Sequence, residues 1–292
     1  MFLVTGASGM SGTLIIEEFV RNRVPVRALV RSKEKAAQFS QFEGVETVVG
    51  DMLRPETLDI ALAEVHHALM ISSPNELMVE TQCSFVAAAK RAGVRRIVKF
   101  SGAESGIGFD PSKFRFTRMH EEIEDYLEIS GMAWTHLRPS QFMQVYLREV
   151  PTIVKRGAIY LPLGDIKLSP IDVEDVAKVA FQVLTSPGHE EKSYEMTGPE
   201  ALTMHDVAER ISRAVGQSIE YAHISPEDRH AALLNAGVPA SFVEALDEQT
   251  EERRKHPESR IDTGILKTLG IRPTTFLEFA IRNASLFRGA TV

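Results

Sequence analysis

The sequence predicts an α/β fold, a doubly wound parallel sheet with a smaller C-terminal lobe. Three observations predict it. Short apolar runs alternate with longer amphipathic stretches through the first half of the chain. Most of those runs are too continuous for half-exposed strands and fit strands buried on both faces. A glycine-rich turn joins the first run to the first helical stretch.

Taken in order, the strand-like runs are residues 2–5, 24–30, 45–49, 68–72, 97–100 and 133–137, all rich in β-branched and aromatic side chains. Between them, residues 10–21 carry Leu14, Ile15, Phe19 and Val20 at helical spacing. Residues 77–92 carry Val79, Phe85, Val86 and Ala89 and stop at Gly93, and residues 121–129 stop before Gly131. Such alternation implies right-handed crossovers and a parallel sheet. Beyond residue 150 the pattern changes. Residues 173–184 read as a helix after Asp172, and 193–196 as a strand. Residues 203–215 read as a helix with Thr203 as N-cap and Asp206 three positions on, close to a capping box. Residues 225–260 are polar, including Glu248 through Lys255, and read as a solvated helix face, with a lid over a substrate cleft as the alternative.

Composition bounds the function. The chain has 292 residues, 43% hydrophobic and 25% charged, as in an ordinary globular protein. Its net charge of -7 argues against a nucleic-acid partner, which needs a basic face. No apolar run is long enough to span a bilayer, and the N-terminus enters a glycine motif without a basic leader, so the expected location is the cytoplasm. The single cysteine, Cys83, excludes an intrachain disulfide and reads as a small buried residue on a helix. The nine histidines form no metal motif, and no G-x-S-x-G elbow appears.

The most informative segment is Thr5-Gly6-Ala7-Ser8-Gly9-Met10-Ser11-Gly12. It follows a strand, opens a helix and is followed by a second strand, the context of a Rossmann dinucleotide fingerprint. In that fingerprint Gly6 permits the tight turn, Gly9 lets the backbone approach a pyrophosphate, and Gly12 lets the helix pack closely. The helix N-terminus offers free N–H groups to the phosphates. NAD-binding versions place an acid at the end of the second strand. Here that strand ends in Arg31, whose guanidinium suits the 2′-phosphate of NADPH, so NADPH is expected over NADH; a plain surface arginine is the alternative. Asp51 and Met52, after the third strand, are expected near the adenine. The expected division is a dinucleotide-binding domain over residues 1–150, receiving elements from 170–200, and a substrate-binding lobe over 151–292.

These segments, with Ser72-Ser73-Pro74, Ala92-Gly93-Val94, residues 130–139 and the stretch Ile171-Asp172-Val173-Glu174-Asp175-Val176-Ala177, resemble the NmrA-like atypical short-chain dehydrogenase/reductases. The likeness is strongest to the bacterial members that reduce quinones, triphenylmethane dyes and azo compounds. The resemblance implies that Ser72, Ser73 and Pro74 line the cofactor and that Pro139, Ser140 and Phe142 approach the nicotinamide. It also marks a departure. Most of the superfamily uses Tyr-x-x-x-Lys, the tyrosine as general acid. Alignment of the helix before Ser130 puts Phe116 at the tyrosine position and His120 at the lysine position.

A ketone needs an acid to stabilise the forming alkoxide. A quinone, an azo bond or a triphenylmethane cation accepts hydride more readily, because its ring system delocalises the added charge. The protein then mainly orients the reactants. His120 is expected to bond the cofactor ribose or relay a proton, or else to be a structural histidine. Ser101 is either a polar contact near the nicotinamide or a strand-end hydroxyl that bonds the backbone. Trp134 reads as core. Phe142, Met143 and Tyr146 read equally as an aromatic pocket or as core. The expected function is an NAD(P)H-dependent reductase of a small aromatic substrate. The alternatives are an NADP-sensing regulator without turnover and an aromatic-polyketide tailoring enzyme. A homodimer is compatible with the sequence, which leaves the oligomeric state open.

Overall fold

A computed structural model describes residues 1–102 and 109–290. Along the chain run β1 (Phe2–Val4), α1 (Met10–Arg21), β2 (Val26–Val30), α2 (Lys33–Ala37), β3 (Val45–Val49), α3 (Leu58–Leu62), β4 (His67–Met70), α4 (Met78–Arg91), β5 (Arg96–Phe100), α5 (Arg115–Glu128) and β6 (Ala133–Pro139). There follow α6 (Val150–Arg156), β7 (Ala158–Leu161), α7 (Val173–Thr185), β8 (Lys192–Met196), α8 (Met204–Val215), β9 (Glu220–His223), α9 (Pro226–Asn235), α10 (Ala240–Lys255), α11 (Gly264–Thr268), α12 (Phe276–Arg282) and α13 (Ala284–Phe287). These elements form two compact units. The first takes residues 1–102, 118–138 and 173–194; the second takes the described residues 109–117, 139–172 and 195–290.

The first unit carries a seven-stranded sheet in the order β3-β2-β1-β4-β5-β6-β8. The pairs from β3 through β6 run parallel, with Val4 opposite Ala28 on one side and Leu69 on the other. Every residue of β2 and β5 is buried, as strands covered on both faces require. The run at 45–49 departs from that expectation. It forms the edge strand β3, exposed at three of its five positions, with Val49 46% exposed. An edge strand has a neighbour on one side only, and its β-branched residues then serve strand geometry more than core. α1 and α7 pack together through Phe19 and Phe181, whose rings meet edge-on at 5.0 Å. α4 ends where Gly93 turns left-handed at φ +78.

The strand order reverses between β1 and β4. In open α/β sheets ligands bind outside the carboxyl ends of the strands at such a switch point. Here Thr5 ties the two ends together: its hydroxyl donates to the Ile71 carbonyl at 2.7 Å and accepts from the Ile71 N–H at 2.8 Å.

The second unit contains a two-stranded parallel sheet, β7 with β9. Its core gathers Tyr146, Ile153, Ile159, Ile211, Phe276, Phe279 and Phe287. The capping box at the start of α8 is present: Thr203 and Asp206 bond each other's backbone N–H reciprocally. A second box, Thr275 with Glu278, starts α12. The segment 248–255 is not a fully solvated face. It is the end of α10, where Glu252 and Arg253 are almost completely buried, Glu252 paired to Lys255 and Arg253 bonded to Gln141. Buried charges of this kind persist because each has a partner.

The Thr5 bridge sets a first expectation. Thr5→Val keeps the shape but removes both bonds to Ile71, at a cost of about 1–2 kcal/mol. Urea unfolding measures it; an unchanged midpoint would show that the bridge carries no stability.

Candidate active site

The glycine turn is shaped by lack of space. Gly6 sits at φ +58, and a Cβ there would lie 2.9 Å from the Ile71 carbonyl oxygen. A Cβ on Gly12 would lie 2.3 Å from the Gly6 carbonyl oxygen and 2.7 Å from the Ala7 Cα. Both positions therefore exclude any side chain. Gly9 is different: it is exposed, extended, and stands as the N-cap of α1 without a side chain to satisfy the helix N–H groups. No acidic residue occupies the first turn. The orphan N–H groups and the positive end of the helix dipole thus face outward past Gly9, with Ser8 and Ser11 half-buried beside it and Met10 exposed. Ala7 is fully buried and Thr13 bonds its carbonyl, which fixes the turn. This cradle fits a dinucleotide pyrophosphate.

The other expected cofactor residues of the first unit flank the same sheet edge. Arg31 follows β2, is exposed, and makes no ion pair among the described residues. Asp51 is engaged locally: its carboxylate accepts from the Leu53 N–H at 3.0 Å and lies 3.8 Å from Arg54, shaping the turn after β3. Met52 is buried. Ser72 follows β4 and accepts from the amide of the buried Gln82 at 2.9 Å, while Ser73 and Pro74 are exposed.

Beyond β5 the structure assembles a polar cluster that the sequence reading only half identified. Lys99 lies on β5 and is completely buried. Its Nζ donates to Ser101 Oγ at 3.0 Å and sits 2.8 Å from His120 Nδ1, on α5. Ser101 is buried and bonds Glu124, which also takes a double bond from Arg138 on β6. Burial pushes Lys99 down to about 7, against the pull of Glu124 and with help from Arg138. Burial and the Lys99 charge hold His120 well below its usual value. Burial works against ionisation of Glu124, yet Arg138, His136, Lys99 and Ser101 keep its carboxyl below the ordinary range. The cluster thus places a neutral imidazole against a lysine of lowered basicity, over an ionised carboxylate. Ser101 and His120 are the two candidate catalytic residues read from the sequence, each with a structural alternative, and the structure brings both to Lys99. Lys99 is not among the sequence candidates; its signal is a lysine between apolar neighbours, two residues before Ser101 and hence on the same face.

The remaining expected residues belong to the second unit and have structural partners there. Ser140 donates from its hydroxyl to the Ser169 carbonyl at 2.6 Å and from its N–H to the Met196 carbonyl at 2.9 Å. Pro139 is buried, and Phe142 is half-buried and bridges to Ile171. Met143 and Tyr146 resolve to core, Tyr146 packed edge-on against Phe276 at 5.2 Å. Phe116 packs with Phe114 and Phe242. Asp172, inside the stretch that carried the resemblance, holds Arg282 at 2.5 Å and Gln144 at 2.7 Å. Cys83 is half-buried on α4, and burial pushes its thiol up to about 11, against a nucleophilic thiolate. Trp134 is half-buried, stacked on His136 at 4.5 Å. Among the described residues, no group of His, Cys, Asp and Glu is placed to hold a metal, and no helix is long and apolar enough to cross a membrane.

A family model described as the NmrA-like family matches residues 1–280. This chain belongs to that family. Among NmrA-like relatives, an NAD(P)H azoreductase of Xenophilus azovorans is 35% identical over 291 residues, covering 99% of this chain and 100% of the relative. Quinone oxidoreductase 2 of Escherichia coli is 31% identical over 250 residues, covering 84% of this chain and 85% of the relative. Among solved structures, the NADPH-dependent quinone oxidoreductase of Escherichia coli complexed with NADPH superposes with a TM-score of 0.85 at 28% identity, covering 97% of this chain and 99% of that one. The Citrobacter sp. triphenylmethane reductase complexed with NADP(H) gives a TM-score of 0.85 at 28% identity, covering 97% and 100%.

The cradle yields a direct expectation. Gly12→Ala must push the turn at Gly6 and Ala7 away from α1, so dinucleotide affinity should fall at least about tenfold, roughly 1.4 kcal/mol. Titration calorimetry with NADPH measures it, with circular dichroism confirming that the fold persists. Unaltered affinity would remove Gly12 from the cradle.

Proposed function

We propose that this protein is an NAD(P)H-dependent reductase that passes hydride to a quinone or a related aromatic electrophile of the azo or triphenylmethane type. One observation carries the reading. A single sheet carries an uncapped helix N-terminus after β1, suited to a pyrophosphate, and at β5, one strand beyond β4, the buried Lys99, Ser101 and Glu124 with the half-buried His120. The names of the azoreductase, quinone reductase and triphenylmethane reductase relatives support the same chemistry.

The α1 N-terminus with Gly6, Gly9 and Gly12 would hold the pyrophosphate, Arg31 the 2′-phosphate, and Ser72 with Ser73 and Pro74 the segment beside β4. The bound nicotinamide supplies a hydride. Ser101 and His120 meet the reacting end, and Glu124 with Arg138 fixes their setting by a charge pair that burial strengthens. Phe116 at the family's tyrosine position transfers no proton, so the substrates best served are those whose added charge spreads over rings.

The reading is tested by following absorbance of the reduced cofactor with quinones, azo dyes and triphenylmethane cations. Oxidation that needs both protein and acceptor supports the reductase. Tight nucleotide binding with no turnover across all three classes overturns it in favour of a sensor. Arg31→Asp separates the cofactors: NADPH affinity should fall about 10- to 100-fold, as loss of a charge-assisted pair implies, with NADH affinity changed much less. Equal losses for the two nucleotides, read by fluorescence titration, would detach Arg31 from the 2′-phosphate.

A further inference from the structure

We propose that Lys99 makes His120 a proton donor: it fixes the imidazole as the neutral Nε2–H tautomer and returns to it the proton that His120 gives to the reduced acceptor. This deepens the reductase reading and rests on it.

Geometry decides the tautomer. A lysine ammonium carries three donors and no acceptor. Lys99 Nζ is buried 2.8 Å from His120 Nδ1, so Nδ1 must accept and the imidazole proton must sit on Nε2. Gly102 lies beside Nε2, where a Cβ would stand 2.8 Å away, so only a glycine fits against that nitrogen without a shift. His120 is half-buried, and in this reading Nε2–H is the face it turns to the acceptor.

The proton balance follows. Hydride addition to a quinone leaves an oxyanion that still needs one proton. His120 Nε2–H breaks as the acceptor O–H forms, and Lys99 Nζ–H breaks as His120 Nδ1–H forms. The imidazole stays neutral throughout and Lys99 is left as an amine; the pair resets when Nε2 takes a proton from water and Nδ1–H returns its proton to the buried Lys99. A neutral imidazole alone is a poor acid, and a lysine in water holds its proton too firmly. Lys99, pushed down to about 7 by burial, releases its proton at neutral pH. The charged and titratable groups around it come from three elements: Glu124 and His120 of α5, Arg138 and His136 of β6, and Cys83 of α4. Glu124 favours the ammonium, while Arg138 opposes it. Because the group is basic and lowered, raising the pH through about 7 empties it, and the proton-requiring step must slow on the alkaline side.

The sequence places no lysine on α5 four residues after Phe116, where the superfamily carries one. The structure supplies a lysine from β5 instead, on the Nδ1 side of His120. Lys99 is in this sense a positioning residue with a proton to lend.

Two measurements test it. The first is the side-chain nitrogen NMR of histidine-labelled full-length protein, with His120→Gln for assignment. The wild type should show His120 neutral with its proton on Nε2 below about pH 7, where Lys99 is an ammonium, and Lys99→Met should shift it toward an ordinary histidine that titrates and mixes tautomers. A wild-type His120 with its proton on Nδ1, or titrating near the ordinary value, overturns the proposal without any variant. The second is single-turnover reduction of p-benzoquinone, which needs a proton, against a triphenylmethane cation, which hydride alone neutralises. Lys99→Met should slow the quinone at least about a hundredfold more than the cation and abolish the alkaline fall seen for the quinone. Equal slowing of both acceptors overturns the relay. Wild-type protein that reduces neither acceptor overturns the reductase reading instead, and the spectra then decide the role of Lys99 alone.

Discussion

The first turn of α1 approaches the ends of β1 and β4 so closely that two positions admit no side chain. Gly12 lies against the backbone of Gly6 and Ala7, and Gly6 against Ile71. That contact draws the helix N-terminus down to the switch point of the sheet, where Thr5 has already joined the two strand ends. Everything that makes the first unit a nucleotide site depends on this approach. A bulkier residue at either glycine would lift the helix and carry its exposed N–H groups away from the cradle. The first turn also lacks both a capping side chain and an acid, so its N–H groups and positive dipole end remain available to an anion.

Much of the fold was legible because local and global signals agree. β2 and β5 read as buried strands and are buried throughout, since parallel strands between helix layers have no polar face to reveal. The capping box at Thr203 and the stop at Gly93 were legible for the same reason: each is a local backbone need met by one residue type. β3 shows where this logic ends. Its sequence, Val-Glu-Thr-Val-Val, has strand propensity, but propensity does not say whether a strand has one neighbour or two. β9 was not legible, because Glu-Tyr-Ala-His carries neither alternation nor apolar continuity, and the four apolar residues of β7 are too short a run to tell a strand from a helix end. The buried Glu252 and Arg253 were hidden too, since a charge with a partner in space looks in sequence like any solvated charge.

The candidate site divides along the same line. Residues fixed by backbone geometry, Gly6 and Gly12, could be read from spacing. Residues whose meaning comes from neighbours could not. Asp51 accepts from the Leu53 N–H, and the Ser140 hydroxyl and N–H bond two backbone carbonyls, ties that the sequence does not display. Lys99 was invisible because its partner, His120, lies 21 positions away on another element. A lysine in an apolar strand is rare enough to be a signal, since burying an unpaired ammonium is costly. The signal only says that a partner exists.

Placement of that lysine bears on what a histidine on α5 needs if it is to serve as an acid. A helix lysine four residues beyond a tyrosine serves by lowering the tyrosine's proton affinity. A histidine at the helix position needs the opposite help: a neighbour that prevents it from becoming a cation and dictates which nitrogen keeps the proton. Only a donor-only group, buried and held from the sheet side, does both. β5 is the strand that offers it here, because residues 99 and 101 share one face, where the Ser101 hydroxyl accepts from the same lysine nitrogen that meets the imidazole. Glu124 then limits how far burial can strip the lysine of its charge, and Arg138 keeps that carboxylate ionised. The cluster is a balance among three buried or half-buried charges and a neutral imidazole, and a change at any one of them moves the acidity of the others.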